Sequence, residues 1–260
     1  MRISEMSFAE RIVYLLSKYG TSYLAGAGST LLIALVATFV GCIIGFGVGI
    51  VVNIPTEKTP HTSGVKRTFI RIIQIVLQAY VELFRGTPMI VQAVFIYYGM
   101  QQVFNIHMGM WTSAFFIVSI NTGAYMAESV RGGIISVDDG QTEGAKAIGM
   151  THFQTMLYVV MPQAFRNIIP QIGNNFIINI KDTSVLSVIG IVELFFVHKS
   201  VAGAMYTYFE SAAIVMVIYL IMTVASSFLL SVLEKKLDGD DNYTLEGPPK
   251  KKKPRISMEA

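Results

Sequence analysis

The segment from Leu24 to Val52 is mostly apolar and contains no charged side chain. About 20 consecutive apolar residues are enough for a helix to cross the hydrocarbon core of a bilayer. Gly41, Gly45 and Gly49 are spaced four apart in this segment, so they share one face of a helix and favour close contact with a neighbouring helix. We therefore expect a membrane protein whose helices pack through small residues.

The composition of the whole chain agrees with a membrane bundle. Hydrophobic residues make up 53% of the 260 residues and charged residues 14%, whereas soluble domains carry about 25% charged residues. The single cysteine, Cys42, has no partner for an internal disulfide. The four histidines lack the spacing of metal ligands, so no metal site is predicted.

Five membrane-spanning helices are predicted in an all-α fold. A straight helix over residues 68–104 would be roughly 55 Å long, which is too long for one perpendicular crossing. We therefore expect it to be broken near Gly86-Thr87-Pro88. The five predicted spans are 24–52, the broken segment 68–104, 111–134, 172–197 and 208–233.

These spans divide the chain into a membrane domain with two flanking segments. Residues 1–23 are predicted to form a short amphipathic helix at the membrane interface, residues 24–237 the membrane domain, and residues 238–260 a disordered basic tail. Basic residues are concentrated in the connection at 53–71, in the region 136–171 and in the tail. Because cytoplasmic loops carry an excess of Lys and Arg, we expect the N-terminus outside and the C-terminus inside.

A polar region at residues 136–171 interrupts the apolar pattern and is predicted to lie in the cytoplasm. Two capping boxes are indicated, one at Ser136 and Asp139 and another at Thr151 and Gln154. Gly149 between them can adopt the positive φ that ends a helix. Pro162 is expected to push Met161 out of helical conformation and to open a third helix. The prediction is a chain of three short helices joined by turns.

The residues of this region resemble a known family. The run EGAKAIGMTHFQTMLYVVMP is similar to the EAA loop of ABC-transporter permease subunits, with Gly144 where the family usually has alanine. The flanking blocks YVELFRGTPMIVQAVFIYYG, AYMAESVRGGI and NFIINIKDTSVLSVIGIVEL resemble permeases for polar amino-acid uptake. The chain is thereby identified as a type I ABC importer permease of a prokaryotic plasma membrane.

The resemblance also implies partners and functional residues. The EAA loop would dock on a cytoplasmic ABC ATPase dimer, through Glu143, Gly144, Ala145, Gly149 and Pro162. A second permease subunit, of the same or a related chain, and an extracytoplasmic amino-acid-binding protein complete the expected assembly. ATP and Mg²⁺ would be bound by the ATPase, since the chain itself lacks a phosphate-binding loop of the form G-x-x-x-x-G-K-[ST]. No cofactor, catalytic residue or nucleic-acid partner is expected in this chain.

Polar and charged residues inside apolar segments are candidates for the substrate path, because such groups are costly in a membrane. They are Glu82, Arg85, Thr87, Asn121, Glu128, Lys181, Asp182 and Ser184. Structural roles remain open for several of them. Glu82 could pair with Arg85, and Glu128 with Arg131, at i,i+3 spacing. The patch Lys181-Asp182-Thr183-Ser184 could equally hold helices or subunits together.

Two other functions are compatible with parts of the sequence. A secondary carrier driven by ions or protons would use Glu82, Glu128 or Asp182 as a relay, but such carriers commonly show repeated halves, which are not evident here. A membrane scaffold that only recruits a soluble protein would leave the intramembrane charges unexplained. Import of a polar amino acid therefore remains the favoured interpretation.

Overall fold

A computed structural model describes residues 6–54 and 64–238, and every regular element in these two ranges is helical. The predicted disordered tail beyond residue 238 and most of the connection after residue 54 lie outside the described residues. Within the described ranges, nine α-helices follow one another: α1 Phe8–Val52, α2 Gly64–Gly86, α3 Met89–Phe104, α4 Met110–Ile135, α5 Asp139–Ala147, α6 His152–Thr155, α7 Met161–Asp182, α8 Leu194–Met205 and α9 Tyr208–Asp238. A π-helical stretch, Met156–Val160, joins α6 to α7, and a 3₁₀ helix, Thr183–Ile189, follows α7.

Helix α1 is continuous, so the prediction of a separate short helix at the N-terminus is wrong. Ser7 caps the helix in a capping box with Glu10, and the helix then runs without a break to Val52. Its first turns belong to the bundle because Leu15 and Tyr23 are fully buried among residues of α8 and α9. This packing stabilises the helix across the position where a boundary at residue 23 was predicted.

Helix α4 lies at the centre of the bundle and confirms the predicted role of the glycine face. Gly41, Gly45 and Gly49 of α1 lie directly against Thr122, Met126 and Val130 of α4, respectively. The residue numbers of the contacting pairs increase together on both helices, which is the register of parallel helices. On another side of α4, Gly133 packs closely against Ile168 of α7.

By length and apolar composition, α1 and α9 can each cross a membrane. The helical run from residue 152 to residue 189, together with α8, makes a third candidate that is bent by 51°. The predicted number of five spans is thus not confirmed by this criterion. Helix α4 has the predicted bounds, but it contains buried polar side chains, including Ser113, Ser119 and Asn121, that face other helices.

The predicted break in the second apolar segment is confirmed. Helix α2 ends at Gly86 and α3 begins at Met89, after Pro88. By contrast, residues 172–197 do not form one continuous helix, since α7 ends at Asp182 and α8 begins at Leu194. The chain leaves the helical axis at Gly190, which has φ +88°, a conformation suited to glycine, and Glu193 then caps α8.

The polar region differs from its prediction at both ends. The cap of α5 is Asp138, whose side chain accepts a hydrogen bond from Gly140 N, while Ser136 ends α4. Met161 is helical, because the π-helical stretch before it leads straight into α7 and places Pro162 at the second position. The region is therefore a helix, a sharp turn and one long helical run.

Candidate functional site

The turn between α5 and α6 is built as the sequence predicts. Gly149 has φ +84°, where a side chain would be strained. Thr151 Oγ1 accepts a hydrogen bond from Gln154 N at 3.3 Å, and Gln154 Oε1 accepts one from Thr151 N at 2.9 Å. Two helices therefore meet at a fixed angle, with the start of the second stabilised by its own capping box.

This helix–turn–helix element, residues 139–155, presents an exposed surface with apolar side chains. Glu143, Gly144 and Pro162 are exposed, whereas Ala145 is buried beneath them. Ile148 is 80% exposed and Phe153 72% exposed. Neighbouring exposed apolar side chains on a polar element are typical of protein-binding surfaces.

The element is attached to the rest of the bundle by amide side chains. Gln163 Nε2 of α7 donates to Gln141 Oε1 of α5 at 3.2 Å. Asn167 Nδ2 donates to Ser136 Oγ at the end of α4 at 2.8 Å. The first bond joins α5 to α7, and the second joins α7 to the end of α4.

A cavity of about 420 Å³, the charged cavity, lies between α1, α2 and α4. Polar side chains line it: Gln78, Glu82, Arg85, Glu128 and Arg131. The four charged residues among them carry two positive and two negative charges, so the lining is neutral overall. Three of the predicted substrate-path residues, Glu82, Arg85 and Glu128, are thus brought together.

Glu128 is the centre of the ion pairs in the charged cavity. Its carboxylate pairs with Arg131 on its own helix, as one alternative predicted, and with Arg85 Nη1 at 3.5 Å. The alternative pairing of Arg85 with Glu82 is wrong, because Arg85 instead bridges α2 to α4. Each of these groups is partly exposed, so water and ions reach the pairs.

Backbone carbonyls at the break between α2 and α3 accept hydrogen bonds from a side chain that the sequence analysis did not select. Gln92 Nε2 donates to Phe84 O and Thr87 O, each at 2.9 Å, and Thr87 Oγ1 donates to Leu83 O. Backbone groups freed by a helix break in a membrane need such internal partners. A buried glutamine four residues after Pro88 was the available signal.

The predicted Asn121 and its neighbour Thr122 on α4 contact different parts of the bundle. Asn121 Nδ2 donates to Gln92 Oε1 at 2.8 Å. Thr122 Oγ1 donates to Asn179 Oδ1 at 3.1 Å, and Asn179 Nδ2 donates to Thr38 Oγ1 at 2.8 Å. Asn179, Thr38 and Gln92 are buried functional candidates that the sequence analysis did not select.

The remaining predicted residues lie elsewhere. Lys181 and Asp182 are at the end of α7, and Ser184 is in the 3₁₀ helix. Lys181 is exposed, while Asp182 and Ser184 are half-buried. None of the three lines the charged cavity.

Comparison with known proteins agrees with this architecture. The family model described as "Binding-protein-dependent transport system inner membrane component" matches residues 63–239. The glutamine transport system permease protein GlnP of Escherichia coli (strain K12) is 36% identical over 197 residues, covering 75% of this chain and 87% of that protein. The arginine transport system permease protein ArtQ of Bacillus subtilis (strain 168) is 32% identical over 218 residues, covering 84% and 93% respectively.

A solved structure shows the same fold. The crystal structure of an amino acid ABC transporter with histidines superposes with a TM-score of 0.77 at 34% identity, covering 89% of this chain and 99% of that chain. The resemblance seen in the sequence is confirmed by these matches. The chain belongs to the family of inner membrane components of binding-protein-dependent transport systems.

Proposed function

We propose that this chain is the membrane-spanning permease subunit of an ATP-driven importer that moves a polar amino acid into the cytoplasm. The exposed helix–turn–helix element at residues 139–155 is the observation that supports it most directly. Its apolar side chains provide a surface for a soluble partner, and its Gln141 is hydrogen-bonded to α7, which is bonded in turn to the end of α4. The relatives named for glutamine and arginine transport support an amino acid as cargo.

The partner at this surface is a cytoplasmic ABC ATPase dimer, which binds ATP and Mg²⁺. Glu143 and Gly144 contact the ATPase from the exposed side of α5, Ala145 fixes α5 against the bundle, and Gly149 sets the angle between helices. Pro162 lies on the same helical run beyond the π-helical stretch. A second permease subunit and an extracytoplasmic binding protein that delivers the amino acid complete the complex.

This assignment fixes the orientation of the chain. The ATPase is cytoplasmic, so the element at 139–155 faces the cytoplasm, the N-terminus lies outside and the C-terminus inside. The end of α4 that carries Glu128 and Arg131 is close to the cytoplasmic side, since α4 ends at Ile135. The charged cavity then lies on the cytoplasmic half of the substrate path.

The charged cavity suits the two charged groups of an amino acid. Glu82 and Glu128 offer acceptors for an ammonium group, while Arg85 and Arg131 offer donors for a carboxylate. An amino acid with an uncharged side chain has no net charge, so the cavity stays neutral overall when it binds. Asn121 and Thr87 contribute to the path by maintaining the helix break next to this cavity. Lys181, Asp182 and Ser184 lie on the helical run that moves during transport.

The test is reconstitution of the chain in vesicles with a candidate ATPase and binding protein, followed by uptake of labelled amino acids. We expect uptake only when ATP and all components are present. A secondary carrier would instead concentrate an amino acid from the chain alone under a proton or sodium gradient. Accumulation without ATP or partners would refute the proposed function.

A further inference from the structure

One face of α7 carries amide side chains at helical spacing, which we term the asparagine face: Asn167, Asn175 and Asn179. Each of them donates a hydrogen bond to a side chain of α4 or accepts one from it. Asn167 contacts Ser136, Asn175 Nδ2 lies 3.3 Å from Met126 Sδ, and Asn179 contacts Thr122. The residue numbers of the α4 partners decrease as those on α7 increase, which is the register of two antiparallel helices.

The asparagine face starts beside the element that meets the ATPase. Residues 152–189 form one helical run, so Asn179 lies on the same run as the cap at Thr151. At about 1.5 Å per residue, His152 and Asn179 are roughly 40 Å apart. Asn179 is 4% exposed, deep inside the bundle.

Adjacent residues of α4 carry two sets of hydrogen bonds, one to Asn179 and one to the break between α2 and α3. Asn179 receives a hydrogen bond from Thr122, and the neighbouring residue on α4, Asn121, donates to Gln92. Gln92 in turn donates to Phe84 O in the last turn of α2 and to Thr87 O within the break. The same turn of α4 is therefore hydrogen-bonded to α7 through Thr122 and to the broken helix through Asn121.

We propose that these groups transmit ATPase-driven movement of α7 to the break between α2 and α3. This inference rests on the proposed function. Four residues have a positioning role: Asn179, Thr122, Asn121 and Gln92. They hold the break in a defined position relative to the neighbouring charged cavity. Glu82 and Arg85 of that cavity lie on α2 within one turn or so of Gly86. A shift of α7 would thus alter the cavity that binds the cargo.

The chemistry of the contacts favours two alternative arrangements over a gradual deformation. A hydroxyl or amide that leaves its partner inside the bundle stays unsatisfied until it finds another, which is costly in a dry environment. Asn179 has two polar ends, one toward Thr122 and one toward Thr38 of α1. Both ends are occupied at once, so a movement of α7 must break or exchange the bonds to Thr122 and Thr38 together.

Thr122 offers a matched pair of variants for the test. Thr122→Val keeps the shape and removes the hydroxyl, whereas Thr122→Ser keeps the hydroxyl and removes a methyl group. The complete complex is reconstituted with each variant, and amino-acid uptake and ATP hydrolysis are measured together. We expect Thr122→Val to lower uptake per ATP at least about two-fold, the lower range of measured coupling effects, and Thr122→Ser to remain close to the wild type.

A second pair of variants tests whether the two ends act through the same network. Asn179→Leu and Gln92→Leu are compared singly and together, with assembly of the complex checked by size-exclusion chromatography. Their effects on uptake per ATP should be less than multiplicative if the residues act in one network. Multiplicative effects, or equal loss in Thr122→Val and Thr122→Ser, would overturn the inference.

The wild-type complex separates failure of this inference from failure of the proposed function. ATP-dependent uptake by the wild type with unchanged uptake per ATP in Thr122→Val contradicts only the network. Absence of ATP-dependent uptake in the wild type, with uptake by the chain alone under an ion gradient, contradicts the importer and the network with it.

Discussion

Gly41 of α1 lies so close to Thr122 of α4 that a Cβ at position 41 would be 2.6 Å from the Cβ of Thr122. The two backbones approach at this point without an intervening side chain. Thr122 is also the residue whose hydroxyl reaches Asn179 on α7. Contact through a glycine on one side and a hydrogen bond on the other therefore fixes α4 between two helices.

Gly41→Ala is expected to destabilise the protein by about 1–3 kcal/mol, because an added methyl group in a tight contact forces backbone or side chains to move. Gly47→Ala is the matched control, since Gly47 is on the same helix with open space around it. Thermal unfolding in detergent should show a lower midpoint for Gly41→Ala and no loss for Gly47→Ala. Equal midpoints for the two variants would contradict the close contact between α1 and α4.

Gly149→Ala is expected to cost about 1–2 kcal/mol locally, because φ +84° is unfavourable for a residue with a Cβ. The strain changes the angle between α5 and α6 and should lower uptake per ATP in the reconstituted complex. Gly28→Ala is the control: the position is inside α1 with open space, so alanine should preserve uptake and stabilise the helix by up to about 1 kcal/mol. A similar loss in both variants would argue against a special role for the turn.

Several of these features are local and could be predicted from the sequence. The glycine spacing in α1, the break at Gly86-Thr87-Pro88 and the turn at Gly149 each depend on the conformational preferences of a few neighbouring residues. The capping box of Thr151 and Gln154 is equally local, and both of its hydrogen bonds are present.

Features that depend on the register between helices could not be predicted in this way. The pairing of Arg85 with Glu128, rather than Glu82, requires knowing which faces of α2 and α4 meet. Met161 was predicted to leave the helix because it precedes Pro162. Met161 N instead donates to Met156 O, five residues back, and this wider π-helical turn lets the helix continue past a proline that has no N–H.

Glu193→Ala is expected to destabilise the bundle by about 1–3 kcal/mol. The carboxylate of Glu193 is fully buried and accepts hydrogen bonds from Phe195 N at 2.8 Å, Phe196 N at 2.6 Å and the Tyr219 hydroxyl at 3.1 Å. Removing it leaves these buried donors without their partner. Glu193→Gln keeps one oxygen acceptor and should retain more stability than alanine, as measured by thermal unfolding. Equal loss in the two variants would show that the cap does not depend on an acceptor.

Glu128→Ala should reduce uptake more strongly than it reduces stability. The side chain is partly exposed and pairs with Arg85 and Arg131, so the pairs themselves contribute little to folding. Its loss leaves the lining of the charged cavity with one excess positive charge. Uptake of an amino acid with an uncharged side chain is expected to fall at least ten-fold. A hydrogen bond to a charged group contributes about 1.5–3 kcal/mol, and its loss corresponds to a decrease of that size. A fall in the unfolding midpoint that accounts for the whole loss of uptake would exclude a direct role in the path.

Ile148→Ser and Phe153→Ser are expected to weaken binding of the ATPase, because these exposed side chains lie on the surface proposed to meet it. Burial of an apolar side chain at an interface contributes about 1.5–3 kcal/mol, so each variant should bind roughly ten- to a hundred-fold more weakly. Phe104→Ser is the control: Phe104 is 65% exposed but lies at the end of α3, next to the start of α4 and thus at the opposite end of that helix from α5. Binding is measured as co-purification and titration of the ATPase with the permease in detergent. If Phe104→Ser weakens binding as much as Ile148→Ser, the ATPase does not recognise residues 139–155 specifically, and the site assigned to it is wrong.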